Sequence, residues 1–166
     1  MNVLPLRVER LNQMAFSDFG DVITPDVNTA LGINNGTCTR FHDLAQIDCS
    51  GEGGRTGLSL FRAQPRILPL QIAMLERHPL GTQAFIPRST TPYLVVVAES
   101  VESKPRAFLA TQGQGVNFRR GTWHHPLLAL DVESEFVVID RIGPGCNCDE
   151  VALATHWRID ALPEVG

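Results

Sequence analysis

The stretch Gln71-Ile72-Ala73-Met74-Leu75-Glu76-Arg77-His78 alternates in a way that reads as an extended strand, with Ile72, Met74, Glu76 and His78 on one face. That face carries both apolar and ionisable side chains. If Ile72 and Met74 point into a core, Glu76 and His78 point into the same interior nearer one mouth, where an unpaired carboxylate is costly. Partners for them are expected nearby. The turn Pro79-Leu80-Gly81-Thr82 leads to Gln83, and Gly121-Thr122-Trp123-His124-His125-Pro126 supplies two more imidazoles.

Outward from this stretch, runs rich in Val, Ile, Leu and Phe recur between turns. They are Leu58 to Arg62, Gln83 to Ile86, Tyr93 to Ala98, Ala107 to Ala110, Trp123 to Leu130 and Phe136 to Arg141. The punctuation is Asn34-Asn35-Gly36, Gly51 to Gly54, Gln112 to Gly115 and Gly143-Pro144-Gly145. Gly51 to Gly54 reads as a flexible loop, not a linker. One short capped helix is expected over Asn12 to Phe19, stopped by Gly20. The expectation is a mainly β single domain spanning residues 1–166, a sandwich or barrel of short antiparallel strands.

The 166 residues carry 14 Lys+Arg against 18 Asp+Glu, a formal charge of −4, and 43% are hydrophobic. A chain of this length can build a core without metals or disulfides as staples. The acidic balance, with no basic run longer than Arg119-Arg120, argues against nucleic acid. No stretch approaches the roughly 18 apolar residues of a membrane helix, and the N-terminus lacks a signal core, so a cytoplasmic protein without membrane partners is expected. Lys104 is the sole lysine and sits in a polar, turn-like run, which argues against Schiff-base chemistry. Cys38, Cys49, Cys146 and Cys148 read as reduced thiols. Cys146-Asn147-Cys148 suits either a soft metal shared with a distant His or a Gly/Pro-flanked turn, and is read as the turn.

Glu76-Arg77-His78 with Gln83 reproduces, with substitutions, the second half of the first cupin motif. Gly113, Arg119 in place of Pro, Gly121, His124 and Leu128 in place of Asn follow the second. A fuller match lies in Ile33-Asn34-Asn35-Gly36, Arg40 to Ala45, Arg62-Ala63-Gln64-Pro65, Leu75 to Pro87, Gly115 to Phe118, Trp123 to Leu127 and Ile139-Asp140-Arg141. In this order, from about Leu4 to Cys148, the segments resemble the ureidoglycolate lyase family. The resemblance implies a cupin-type double-stranded β-helix (jelly-roll barrel) and a homodimer. It also implies cleavage of (S)-ureidoglycolate to glyoxylate and urea in allantoin breakdown. The alternatives are an amidohydrolase releasing ammonia from the same substrate, or a non-catalytic cupin sensor of a small carboxylate.

The chemistry needs a base, an acid and an anion clamp. His78 and His124 are the preferred proton carriers, with Glu76 as the alternative base. His125 should alternate to the opposite face from His124. A guanidinium fork suits the substrate carboxylate, which nominates Arg62, Arg141 and Arg40, with Arg77 ranked below because it points away from Glu76. Asn35, His42 and Gln83, in matched segments, are further candidates for binding substrate. Glu76, His78, Gln83 and His124 occupy the cupin ligand positions, a set that suits a divalent ion, nickel by family resemblance, or that holds the ureido and carboxylate groups by hydrogen bonds instead. No organic cofactor is expected, and the partner is a small-molecule substrate.

Overall fold

The structure is a computed structural model that describes residues 3–164. Its first strands are β1 (Val3–Pro5), β2 (Val8–Arg10) and β3 (Gly20–Ile23), with the helix α1 (Gln13–Phe16) before β3. A hairpin of β4 (Ala30–Ile33) and β5 (Cys38–Phe41) follows. The main body holds β6 (Arg55–Ala63), β7 (Leu70–Arg77), β8 (Gln83–Pro87), β9 (Tyr93–Ala98) and β10 (Arg106–Ala110). It continues through β11 (Gly115–Phe118), β12 (Trp123–His124), β13 (Leu128–Ala129), β14 (Ser134–Ile142) and β15 (Asp149–Ile159).

Two sheets face each other as a jelly roll. The larger runs β1-β15-β7-β12-β9-β10-β2, with β13 also on β9; the smaller runs β3-β11-β8-β14-β6. Between them Phe16, Phe19, Phe85, Tyr93, Val95, Val97, Phe108, Phe118, Phe136 and Val138 form one apolar cluster. Leu94, Val96 and Ala98, from the other face of β9, join a second cluster with Leu6, Val8, Ile72, Leu75 and Ile159. Strand β9 is thus buried on both faces, which its unbroken apolar run Tyr93 to Ala98 requires.

The mainly β reading and the short helix stand, with differences in detail. Helix α1 covers one turn, not Asn12 to Phe19; Asn12 caps it by accepting a 2.9 Å hydrogen bond from the Ala15 N–H. The expected strand Trp123 to Leu130 is split, because Pro126 lacks an N–H and His125 donates its own to the Val96 carbonyl (2.9 Å) between β12 and β13. Strict alternation along β7 also fails. Ile72 and Leu75 share one cluster, where β15 opposite them shifts register between Ala152 and Trp157. The Gly51 to Gly54 segment is a packed 3-10 turn, not a free loop: a Cβ on Gly51 would lie 2.3 Å from the Leu80 carbonyl oxygen.

Candidate active site

Glu76 is the hub. On β7 it pairs in register with His124 of β12 on one side and Glu150 of β15 on the other, so the three side chains form a rank along one face of the large sheet. His78, just past the end of β7, turns back so that its Nε2 lies 3.9 Å from Glu76 Oε1, the same separation as His124 Nδ1. The two imidazole centroids are 5.2 Å apart. The sequence motifs are 46 residues apart from His78 to His124, and antiparallel pairing of β7 with β12 brings them together.

The opposite wall comes from the small sheet. Phe118 of β11 lies parallel to the His124 ring, with centroids 4.2 Å apart. Gln83 of β8 donates from Nε2 to Asp140 Oδ2 of β14 at 3.2 Å, while its Oε1 is buried without a partner. Asp140 follows from alternation, since Phe136 and Val138 before it face inward and are fully buried. That alternation was the signal for a residue the sequence reading passed over.

Burial sets the charge states. His124, almost wholly enclosed and close to His78, has its pKa pulled down from 6.5 to about 3, so the ring is neutral at physiological pH. Glu76 is pushed above the usual carboxylate value mainly by burial, opposed by His78 and reinforced by Glu150. His78 Nδ1 lies 2.7 Å from the Asn147 carbonyl oxygen; donation there places its lone pair on Nε2, toward Glu76. The Nε2 atoms of both His78 and His124 are buried without hydrogen-bond partners. Glu76, His78 and His124 therefore fit a divalent ion: one carboxylate and two imidazoles offer ligand atoms within 4.8 Å of one another, and both Nε2 atoms are unpartnered, while His124 Nδ1 lies 3.2 Å from the His125 carbonyl oxygen.

The remaining candidates lie elsewhere. Arg62 is exposed and forks onto Glu135, and it stands with Val137 and Ile139 on the outer face of the small sheet. Arg77 is held by Asp149 at 2.8 Å and lies over Trp123. Arg141 is buried, and its guanidinium donates to the carbonyls of Gly51 (2.6 Å), Glu52 (3.4 Å) and Pro144. Asn35 sits at the left-handed tip of the β4–β5 hairpin (φ 56°), Arg40 is exposed on β5, and His42 follows it. His125 is largely buried, with Nδ1 2.8 Å from the Pro126 carbonyl oxygen.

Cys146-Asn147-Cys148 is a turn, as the sequence reading has it, and it touches the site through Asn147. Asn147 accepts from the Leu80 N–H through Oδ1 (2.7 Å) besides meeting His78 through its carbonyl. Cys148, Glu150 and Glu76 bring their ligand atoms within 4.8 Å of one another. Burial, aided by Glu76 and Glu150, raises the Cys148 pKa and keeps the thiol protonated.

Comparison with known proteins shows the family. The family model described as Ureidoglycolate lyase matches residues 3–160. The chain is 53% identical to a protein named ureidoglycolate lyase from Burkholderia cepacia, covering 95% of this chain and 92% of that one. It is 48% identical to one of the same name from Rhizobium etli, over 93% of this chain and 95% of the relative. A third so named, from Brucella ovis, is 48% identical over 96% and 97% of the two chains.

Proposed function

The chain belongs to the ureidoglycolate lyase family and is a lyase acting on ureidoglycolate, and we propose that its chemistry takes place in the pocket of Glu76, His78 and His124. The observation that carries the assignment is the convergence of these three groups, from separate motifs, on one enclosed spot with unpartnered ring nitrogens.

Ureidoglycolate is a carbinolamine that also carries a carboxylate. Cleavage removes the hydroxyl proton, lets the oxygen lone pair collapse to the aldehyde of glyoxylate, and returns a proton to the departing urea nitrogen. His78, whose unpartnered Nε2 faces the spot, is suited to accept the hydroxyl proton, while neutral His124 is held flat against Phe118 as an uncharged wall of the site. Glu76, held protonatable by burial, is suited to return one to nitrogen. The Asn147 carbonyl fixes the His78 ring, whose Nε2 faces the same spot. With a divalent ion, nickel by family resemblance, held by Glu76, His78 and His124 instead, their lone pairs would be taken up as ligands and the ion would supply Lewis acidity toward the substrate hydroxyl. Gln83, steadied by Asp140, has a carbonyl oxygen left for the ureido N–H groups. Of the four arginines considered, Arg62, Arg77 and Arg141 already hold other groups, while Arg40 stands with Asn35 on the separate β4–β5 hairpin, with His42 just after it.

The proposal extends to (S)-ureidoglycolate from allantoin as the substrate, a cytoplasmic setting and a homodimer. Support for the first is the family. For the second it is the four free cysteines, together with the lack, among the described residues, of any helix long and apolar enough to cross a membrane. The homodimer is supported by the apolar outer face of β6, where Leu58 is 70% exposed and Leu60 58%. Product analysis with ureidoglycolate tests the reaction: glyoxylate and urea mark the lyase, ammonia marks an amidohydrolase, and binding without turnover marks a sensor. Loss of turnover in His78→Ala and His124→Ala with the fold intact tests the site, and unchanged rates in both would overturn it.

A further inference from the structure

A pocket that cleaves ureidoglycolate must hold a carboxylate, and three of the four arginines nominated for that task are engaged elsewhere. The mouth is short of positive charge. Glu76 meets only histidines, and Glu150, opposite it across the β7–β15 ladder, has no ion pair among the described residues. Like charges in that relation repel, and a substrate anion adds to them unless a cation comes with it.

The fourth arginine, Arg40, is the only charged residue of the β4–β5 hairpin, and among the described residues it forms no ion pair. These two strands pair with each other and with no other strand, and every residue from Ala30 to Arg40 is exposed. A lone two-stranded hairpin is marginal in water, so this one needs a surface to lie on. Its register puts Leu31 opposite Arg40 and Ile33 opposite Cys38, which gathers two exposed apolar side chains around the guanidinium on one face. The chain leaves for the hairpin from Ile23, which pairs with Gly115, whereas the other end of β3, Gly20, pairs with Phe118, the residue stacked on His124. The hairpin therefore departs from the end of β3 remote from its own pocket.

We propose that the β4–β5 hairpin is an arm that enters the pocket mouth of a second copy of this chain, where Arg40 forks onto the substrate carboxylate. Two-fold symmetry then makes each copy complete the site of the other. The nature of the anion rests on the lyase reading; the placement of the arm rests on charge and apolar complementarity. An acidic mouth without a cation receives an arm with one cation and no anion. Leu31 and Ile33 find their counterpart on β6, where Phe61, packed on Phe85 at the pocket side, and Leu58 and Leu60 on the other face are all exposed.

The test is complementation between two variants, Arg40→Ala and His78→Ala, co-expressed with different affinity tags so that the doubly tagged mixed dimer can be purified. Arg40→Ala alone should lose about a hundredfold in kcat/KM for ureidoglycolate, chiefly through KM. The mixed dimer has one pocket with both residues intact only if the arm works between copies, and it should regain about half of the native activity. Circular dichroism and sedimentation check that each variant is folded and dimeric. Unchanged KM in Arg40→Ala, or a mixed dimer no more active than its parents, overturns the proposal. A second readout needs no turnover: a short bismaleimide added to reduced native protein should join Cys38, on the Arg40 face of the arm, to the exposed Cys148 of another chain. Denaturing gels and peptide mapping identify the bridge, and Cys38→Ser or Cys148→Ser should abolish it. Native protein that releases no glyoxylate and urea sinks the lyase reading alone, and the bridge then decides the arm: Cys38 to Cys148 between chains supports it, and a bridge within one chain or none at all overturns it.

Discussion

Phe118 and His124 lie face to face across the two sheets, their planes 6° from parallel and their centroids 4.2 Å apart. The contact joins β11 to β12 and encloses the imidazole, and that enclosure, with His78 close by, depresses its pKa to about 3. Stability follows from the shift. The unfolded chain takes a proton on this histidine near 6.5, while the folded chain resists until about 3, so between those values the unfolded state binds more protons. Stability therefore rises with pH through the window and falls as the solution is acidified, by about 1.4 kcal/mol per pH unit from this one group. His124→Phe keeps the stack and removes the titration. Denaturant unfolding of chelator-treated protein between pH 6.5 and 4 should show a steeper fall for the native chain than for the variant; equal slopes would contradict the assignment.

Asp140 steadies Gln83, and its removal strands a buried amide. Asp140→Ala leaves Gln83 Nε2 without its acceptor, a loss of about 1–3 kcal/mol for a buried unsatisfied group. Asp140→Asn can still present a carbonyl oxygen and should lose about 1 kcal/mol or less. In steady-state kinetics with ureidoglycolate, Asp140→Ala should raise KM at least as much as it lowers kcat, because Gln83 is assigned to binding. A normal KM in Asp140→Ala would remove Gln83 from the substrate contacts.

Leu58 and Leu60 project from β6 on the outer face of the small sheet, beside Val137 and Ile139. A nine-residue edge strand with such side chains invites association. If this face is the homodimer interface, Leu60→Asp should shift sedimentation from dimer to monomer at micromolar concentration while leaving the circular dichroism spectrum unchanged. A dimer that persists would place the interface elsewhere.

How much of this could be read from the chain depended on the reach of each signal. The β7 strand, the β9 core strand and the convergence of Glu76 with His124 were legible, because alternation and apolar runs are local and the two motifs fix the pairing. The eleven-residue β15 was not, since Ala152-Leu153-Ala154-Thr155 has weak alternation and its strand is held by β7 and β1 across the register shift. With β15 unseen, Cys148 and Glu150 had no reason to meet Glu76. The arginines misled for a related reason: residue type identifies a guanidinium fork, but only the fold shows that Arg62 already holds Glu135 and Arg141 holds loop carbonyls.

Arg141 makes the last of these points testable. Its buried guanidinium ties the Gly51 turn to the Pro144 turn through three carbonyls, and Gly54 is packed so closely that a Cβ there would lie 2.3 Å from Arg141 Nε. Each hydrogen bond from a charged donor to a buried carbonyl contributes about 1.5–3 kcal/mol, and the bonds are not additive. Arg141→Ala should therefore destabilise the protein by about 3 kcal/mol in denaturant unfolding, and Arg141→Lys should recover little, since an ammonium cannot span carbonyls in two turns. The Gly51 turn rests against Leu80, which the same Asn147 that meets His78 also binds, so loosening it reaches the pocket through its wall. Limited proteolysis should then cut Arg141→Ala near Gly51 to Gly54 faster than the native chain. Native-like stability together with a selective rise in KM would instead mark Arg141 as a contact for the substrate carboxylate.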